Sequence, residues 1–280
     1  MIAAMRASQS ILAEPVAEAW KANLFLGFEK RASKTVLSEK RFDGPLVVQK
    51  PLYPEGEQVC HAIVLHPPAG IAGGDELTLQ VRAGEKAQVL LTTPGAGKWY
   101  RSAGPLAKQM LQFNVEGVLE WLPRETIVFN GALAALECRI ELSAGAKYFG
   151  WEVLCLGRSG SGERFDKGQI RIDTRVTREG KLLWFERGRI QGGGRLMASP
   201  AGLDGRSVCG TLLATLDSAD KELVAKCREH AAVTVLPGLL IARYLGNSSE
   251  EAMRSFTRLW TLLRPAVAGR EAIEPRIWST

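Results

Sequence analysis

The chain has 280 residues, 46% hydrophobic and 24% charged, which are globular proportions with enough apolar surface to bury a sizeable core. A formal charge of +6 and an isoelectric point near 9.1 leave room for an acidic partner. The basic residues alternate with acids, as in Glu29-Lys30-Arg31 and Arg178-Glu179-Gly180-Lys181, so no basic stripe with interleaved aromatics marks a nucleic-acid surface.

Residues 1–19 are expected to form a flexible N-terminal segment, and Glu14 and Pro15 interrupt what would have to be the apolar part of a secretory signal. No apolar run reaches the roughly 18 residues of a spanning helix, so a soluble, cytoplasmic protein without membrane contact is expected. Trp20, Ala22, Leu24, Leu26 and Phe28 then alternate along one strand face. In a later strand Cys60 and His66 share a face while His61 points the other way. Leu77, Leu79 and Val81 continue the period-2 pattern, as do Cys138, Ile140 and Leu142, and then Ile170, Ile172, Thr174 and Val176.

Three turns between strand-like runs carry a related signature: Ala83-Gly84-Glu85-Lys86, Ala144-Gly145-Ala146-Lys147 and Glu179-Gly180-Lys181-Leu182. Glycine suits turns that need a positive φ. The pattern predicts a mainly β fold, a solenoid-like or stacked β-sheet body with a few α-helices near the C-terminus. Asp217 or Ser218 can cap a helix through about His230. Leu236-Pro237-Gly238-Leu239 reads as a turn joining two strands. A second helix begins at Ser248 or Ser249, carries Met253, Phe256, Trp260 and Leu263 at helical spacing, and stops before Pro265. No Pro- or Ser-rich linker divides the chain, so 1–280 is read as a single domain.

Chemistry-bearing motifs are sparse. Cys60, Cys138, Cys155, Cys209 and Cys227 are odd in number, scattered and without a C-x-x-C pair, which excludes a zinc knuckle and points to buried thiols in a reducing compartment. The loop Leu65-His66-Pro67-Pro68-Ala69-Gly70-Ile71-Ala72-Gly73-Gly74-Asp75 is rich in Pro and Gly, and its His66 and Asp75 are ligand types for divalent ions. Thr92 to Ser102 fails as a phosphate loop, since Thr92 stands where glycine is needed and Trp99 follows Lys98. Gly157-Arg158-Ser159-Gly160-Ser161-Gly162 has the wrong glycine order for a dinucleotide fingerprint. No nucleophile elbow is present, although Glu152 or Glu186 could act as an acid or base.

These segments resemble the signature stretches of the urease accessory protein D family (UreD, also called UreH). Gly44-Pro45-Leu46 through Tyr53-Pro54-Glu55-Gly56 is followed by the His66-to-Asp75 loop and by Leu91-Thr92-Thr93-Pro94-Gly95 with Lys98 and Tyr100-Arg101-Ser102. Then come Leu119-Glu120-Trp121-Leu122-Pro123-Arg124-Glu125-Thr126-Ile127-Val128-Phe129, Gly150-Trp151-Glu152 and Leu156-Gly157-Arg158. Leu263-Arg264-Pro265 and Pro275-Arg276-Ile277-Trp278 close the series, in the family's order from about residue 20 to the end. The family usually has glycine at Ala69, a hydroxyl residue at Gly97, Gln at Arg124 and Asp at Asn130.

The resemblance implies a β-solenoid-like fold and a non-catalytic urease maturation factor. Such a factor binds apo-urease and the F accessory protein, which recruits the nickel-carrying G GTPase, and passes nickel through an internal polar tunnel without a tightly bound cofactor. By that analogy Asp75 and Glu186 are placed on the ion path, with His66 and Cys60 as further candidates, and Phe256 and Trp260 are candidates for partner binding. Two other readings stay open: a β-rich hydrolase or transferase using Glu152 or Glu186, and a basic nucleic-acid-binding module.

Overall fold

The computed structural model describes residues 19–218 and 220–279; the segment expected at 1–19 lies, Ala19 apart, outside the described residues. The first strands are β1 (Lys21–Arg31), β2 (Lys34–Asp43), β3 (Val47–Val48), β4 (Val59–Leu65), β5 (Glu76–Ala83) and β6 (Gln88–Thr92). They are followed by β7 (Gly97–Trp99), β8 (Ala107–Val115), β9 (Val118–Leu122), β10 (Thr126–Val128), β11 (Leu133–Leu142) and β12 (Lys147–Leu156). The chain continues through β13 (Gln169–Arg178), β14 (Lys181–Gln191), the short helix α1 (Arg195–Ala198) and β15 (Val208–Leu216). It ends with α2 (Lys221–Arg228), β16 (Ala232–Leu236), β17 (Gly238–Gly246) and α3 (Ser249–Ala268).

A seven-stranded sheet runs β14-β13-β11-β8-β5-β1-β2, and a ten-stranded sheet runs β16-β17-β15-β12-β9-β6-β4-β3 with β10 beside β12 and β7 beside β10. From β5 onward the chain winds between them: β5, β8, β11 and β13 are parallel neighbours in the first sheet, and the intervening β6, β9 and β12 are parallel neighbours in the second. The mainly β, solenoid-like expectation is therefore met, with the longest helix at the C-terminal end.

Burial explains how each sheet reads in sequence. The seven-stranded sheet is wetted outside, so in β5 Leu77, Leu79, Val81 and Ala83 are buried while Glu76, Gln80 and Arg82 are exposed. The ten-stranded sheet is covered by helices, so β12 is apolar on both sides: Tyr148, Leu154 and Leu156 join the inter-sheet core, and Phe149, Trp151, Val153 and Cys155 join a second core beneath α2 and α3.

Two of the three turns with a common signature carry coil corners, with Lys86 at φ 59° and Gly145 at φ 76°. The third does not: Glu179 (φ 48°) and Gly180 (φ 72°) form a hairpin between β13 and β14 inside one sheet, the two-residue turn whose twist suits antiparallel strands. The missing corner is Glu116-Gly117. There Val118 N–H donates to the Ala87 carbonyl at 2.8 Å, and a Cβ on Gly117 would lie 2.3 Å from that oxygen.

The helices also correct their expected ends. Asp220, not Asp217 or Ser218, caps α2, its Oδ1 accepting the Glu222 N–H at 2.9 Å; Asp217 is ion-paired with Lys147. Ser248 caps α3, accepting the Glu251 N–H at 3.1 Å. α3 runs past Pro265 to Ala268, although proline removes one helical bond, because Leu263, Arg264 and Val267 in that last stretch are buried.

Arg264 explains the strength of this anchor. Only 1% exposed, it donates to Glu55 Oε1 and Oε2 at 2.7 and 2.8 Å, and to Glu120 Oε1 and Oε2 at 2.9 Å each. Trp260 Nε1 donates to Glu120 Oε2 at 2.6 Å, and His61 Nε2 lies 2.6 Å from Glu55 Oε1. Helix α3 is thus tied to β9 and to the loop before β4. Burial opposes ionisation of Glu55, but hydrogen bonds from His61 and Arg264 and the charge of Arg264 outweigh it and hold the carboxyl down at about 2.

Three outcomes follow. Arg264→Met strands two buried carboxylates and should cost about 3–5 kcal/mol in urea unfolding. Glu55 is held below its ordinary 4.5, so the stability it contributes is present above that pH and is lost as pH falls toward 2; the difference in urea midpoint between wild type and Glu55→Gln should shrink across that window. Ala69 sits at φ 63°, where a side chain is strained, so Ala69→Gly should raise stability by about 1 kcal/mol in the same assay.

Candidate functional site

The inter-sheet core is not filled throughout. A cavity of about 390 Å³ lies toward β14 and β17, with Cys138, Tyr148, Glu152, Glu186, Cys209 and Arg243 among its walls. A second, of about 570 Å³, opens among the loops after β4 and β6 and includes His66, Lys98, Arg124, Thr126 and Glu152. They share Gln109, Leu111, Trp121 and Glu152, so they adjoin and Glu152 stands at the junction.

The position of Glu152 follows from a break in the ladder. β12 pairs with β9 through Gly150 and with β10 from Leu154 onward, which leaves Trp151 to Val153 beside the irregular stretch at Pro123. Period 2 turns Phe149 and Trp151 to the helices and Tyr148, Glu152 and Leu154 inward. Glu152 Oε1 accepts the Thr126 hydroxyl at 2.5 Å. Burial pushes the carboxyl up to about 7, only partly offset by that hydrogen bond.

The thiols and the phenol beside it are uncharged. Burial, with the Glu152 charge adding to it, pushes the Cys138 thiol up to about 12 and the Tyr148 hydroxyl well above its usual value. Burial likewise drives Cys209 up to about 12 although the Arg243 charge opposes it. These thiols are protonated at neutral pH and are poor nucleophiles and weak ligands in that form. No group of three or more His, Cys, Asp or Glu side chains able to hold a metal ion occurs among the described residues.

The residues proposed from the sequence divide. Glu186 lines the first cavity, where it accepts Arg243 Nη1 at 2.7 Å; Arg243 also bonds Thr211. His66 lines the second, its Nε2 buried without a hydrogen-bond partner among the described residues and its pKa held below the usual imidazole value by burial, against the Asp75 charge. Asp75 lines neither cavity: at 2% exposure, Oδ1 accepts the Trp20 N–H at 2.8 Å and Oδ2 the Ala72 N–H at 2.7 Å. Its oxygens close the loop and fix the start of β1. Cys60 is buried in the inter-sheet core, and burial pushes it up to about 11.

Phe256 and Trp260 are 0% exposed, inside the core under α3, so their side chains present no docking surface in this fold. Sequence reasoning weighed Glu152 only as a catalytic group and missed its place at the junction. The available signal was one carboxylate inside the otherwise uncharged run Tyr148-Phe149-Gly150-Trp151-Glu152-Val153-Leu154-Cys155-Leu156. Two departures from the family pattern are also explained. Asn130 Oδ1 accepts the Asp166 and Lys167 N–H groups at 3.1 and 2.8 Å, work an aspartate oxygen can do. A Cβ on Gly97 would lie 3.9 Å from Thr126 Oγ1, so a hydroxyl residue fits there.

Comparison with known proteins shows the family. The pattern describing the UreD urease accessory protein matches residues 21–279. The protein named urease accessory protein UreD from Dechloromonas aromatica is 52% identical over 274 residues, covering 93% of this chain and 95% of the relative. Those of the same name from an Azoarcus species and from Pseudomonas aeruginosa are 51% and 48% identical, covering 93% and 94% of this chain and 94% and 96% of the relatives. With likeness of that degree over nearly the whole length, the chain belongs to the UreD family of urease accessory proteins.

Proposed function

We propose that the chain is a non-catalytic maturation factor that assembles in the cytoplasm with apo-urease and the F and G accessory proteins, and that it conducts nickel to urease through the space between its sheets. The observation that carries this reading is the pair of adjoining cavities with His66 on one side, Glu186 on the other and Glu152 between them. Nickel is cargo here, so its contacts have to release it. Isolated carboxylates and an imidazole do so more readily than a closed four-ligand cage. The pairing of Glu186 with Arg243 weakens that carboxylate further as a trap. The positive overall charge favours encounter with acidic partner surfaces, and 1–280 is taken to act as one unit.

The test is nickel-dependent activation of apo-urease reconstituted with the F and G proteins, GTP and bicarbonate. Activation should require this chain, and Gln109→Trp, which adds bulk to the wall both cavities share, should lower it by about tenfold or more while co-purification with the partners is unchanged. Full activation without the chain would sink the reading. Asp75→Asn, in contrast, should lower activation only in proportion to the folded protein lost, because its carboxylate holds a loop.

A further inference from the structure

We infer that the first cavity is a binding site for a small, uncharged and mainly apolar molecule that presents one hydrogen-bond acceptor to the hydroxyl of Tyr148. Such a site stands whether or not nickel passes through it; only its consequence for nickel rests on the delivery reading above. Leu111, Leu136, Ile140, Leu154, Ile172 and Leu213 supply an apolar wall from both sheets. A space of about 390 Å³ would hold about thirteen waters at bulk density, and each needs two to four polar partners that leucine and isoleucine do not offer. Apolar cavities instead stay dry and take apolar guests. One of about 150 Å³ accepts benzene, so this one has room for about two or three rings.

The charged side chains of the wall are engaged within the protein. Glu186 accepts Arg243 Nη1 at 2.7 Å, Glu137 lies 3.5 Å from Arg139, Glu152 accepts the Thr126 hydroxyl at 2.5 Å and Arg189 donates to Gln191 at 3.4 Å. A charged guest would have to break the Glu186–Arg243 pair or lie uncompensated among apolar side chains, which disfavours carboxylates and amines alike. The open end is apolar too: Leu196 of α1 and Leu245 of β17 line the cavity while 43% and 46% exposed, so leucines stand where it meets solvent. A hydrated ion gains nothing from such a rim, whereas an apolar guest is drawn across it.

Tyr148 supplies the polar preference. It lines the cavity and is 3% exposed. Its hydrogen bonds among the described residues run through the backbone to Thr215, the N–H donating to Oγ1 at 3.0 Å and the carbonyl accepting from it at 3.3 Å. That leaves the hydroxyl without a partner there, although a buried phenol ordinarily finds one. The Thr211 hydroxyl is engaged by Arg243, and the thiols of Cys138 and Cys209 are weak donors. A carbonyl or ether oxygen on the guest completes the Tyr148 hydroxyl, while its rings replace water against the leucines and isoleucines. A guest seated in this way also fills the space an ion would need.

The experiment titrates prodan, an uncharged two-ring ketone whose emission moves to the blue in apolar surroundings, into the assembled accessory complex. Binding should saturate at one molecule per chain with a blue shift. Ile172→Trp, which fills the cavity, should weaken it by about tenfold or more. Tyr148→Phe keeps the ring and removes the donor; it should weaken prodan by about three- to tenfold and leave the affinity of naphthalene, which has no acceptor oxygen, unchanged in a displacement titration. Tyr148→Phe also serves if the Trp variant fails to fold. Binding that does not saturate, or that both variants leave unchanged, would overturn the site, and unchanged prodan affinity in Tyr148→Phe alone would overturn the acceptor preference. Saturating prodan should in addition lower nickel-dependent activation of apo-urease by about tenfold; full activation with the guest bound would count against the delivery route and leave the site standing.

Discussion

Parallel neighbours cannot be joined by a tight hairpin, and here the crossover from each strand leads to the opposite sheet rather than into a helix. That constraint produces the rest of the architecture. Each coil puts one strand in each sheet, coil corners stack, and Gly117 sits so near the Ala87 carbonyl that no side chain fits. The winding also determines what fills the middle. Where inward positions hold long apolar side chains, as with Val81 and Phe113, the core closes; where they fall on Gly188 or Thr174, space is left. The cavities are therefore a property of inward side-chain size along a regular path.

Two carboxylates of the ten-stranded sheet, Glu120 buried and Glu152 half-buried, show how position within that frame sets chemistry. Glu120 of β9 meets Arg264 and Trp260, and the pairing fastens a helix. Glu152 of β12 meets one hydroxyl, that of Thr126, and no side-chain cation donates to it among the described residues. The difference is one of face: the inward side of β12 looks into the inter-sheet space, whereas Glu120 lies on the side that α3 covers. Residues of one chemical type thus do opposite work, because an enclosed charge is stabilised only where its counter-charge is enclosed with it.

Legibility in the sequence followed the same division. β5 and β13 could be read because one face is wet and alternation survives; the runs Val59–Leu65, Gln88–Thr92 and Val118–Leu122 lose it because both faces are covered, and a continuous apolar run has no period to detect. The Pro- and Gly-rich loop was recognisable as ordered, but His66 and Asp75 looked alike as ligand types until their surroundings separated them: both Asp75 oxygens are spent on backbone N–H groups, while His66 Nε2 has no partner among the described residues. The end of α3 was misjudged because proline's local cost is visible in sequence, whereas the bonds from Arg264 to Glu55 span 209 residues. The hydrophobic stripe of Phe256 and Trp260 was read correctly as amphipathic, but an amphipathic stripe does not say whether its apolar face meets a core or a partner.

A passage between packed sheets faces a constraint that a surface site escapes, because any charge strong enough to draw an ion inward in a medium of low polarity also holds it there. In the delivery reading proposed above, the two cavities are such a passage, and their residues bear on that conflict. Glu186 is accompanied by Arg243, so its attraction for a cation is reduced before one arrives. Cys138 and Cys209, soft ligands that would otherwise retain such an ion, are kept protonated by burial. Glu152 lines both cavities, and the one side-chain hydrogen bond its carboxyl accepts among the described residues comes from the Thr126 hydroxyl. In the delivery reading, a chain that passes metal onward is thus distinguished from one that stores it by burial, which holds most potential ligands neutral.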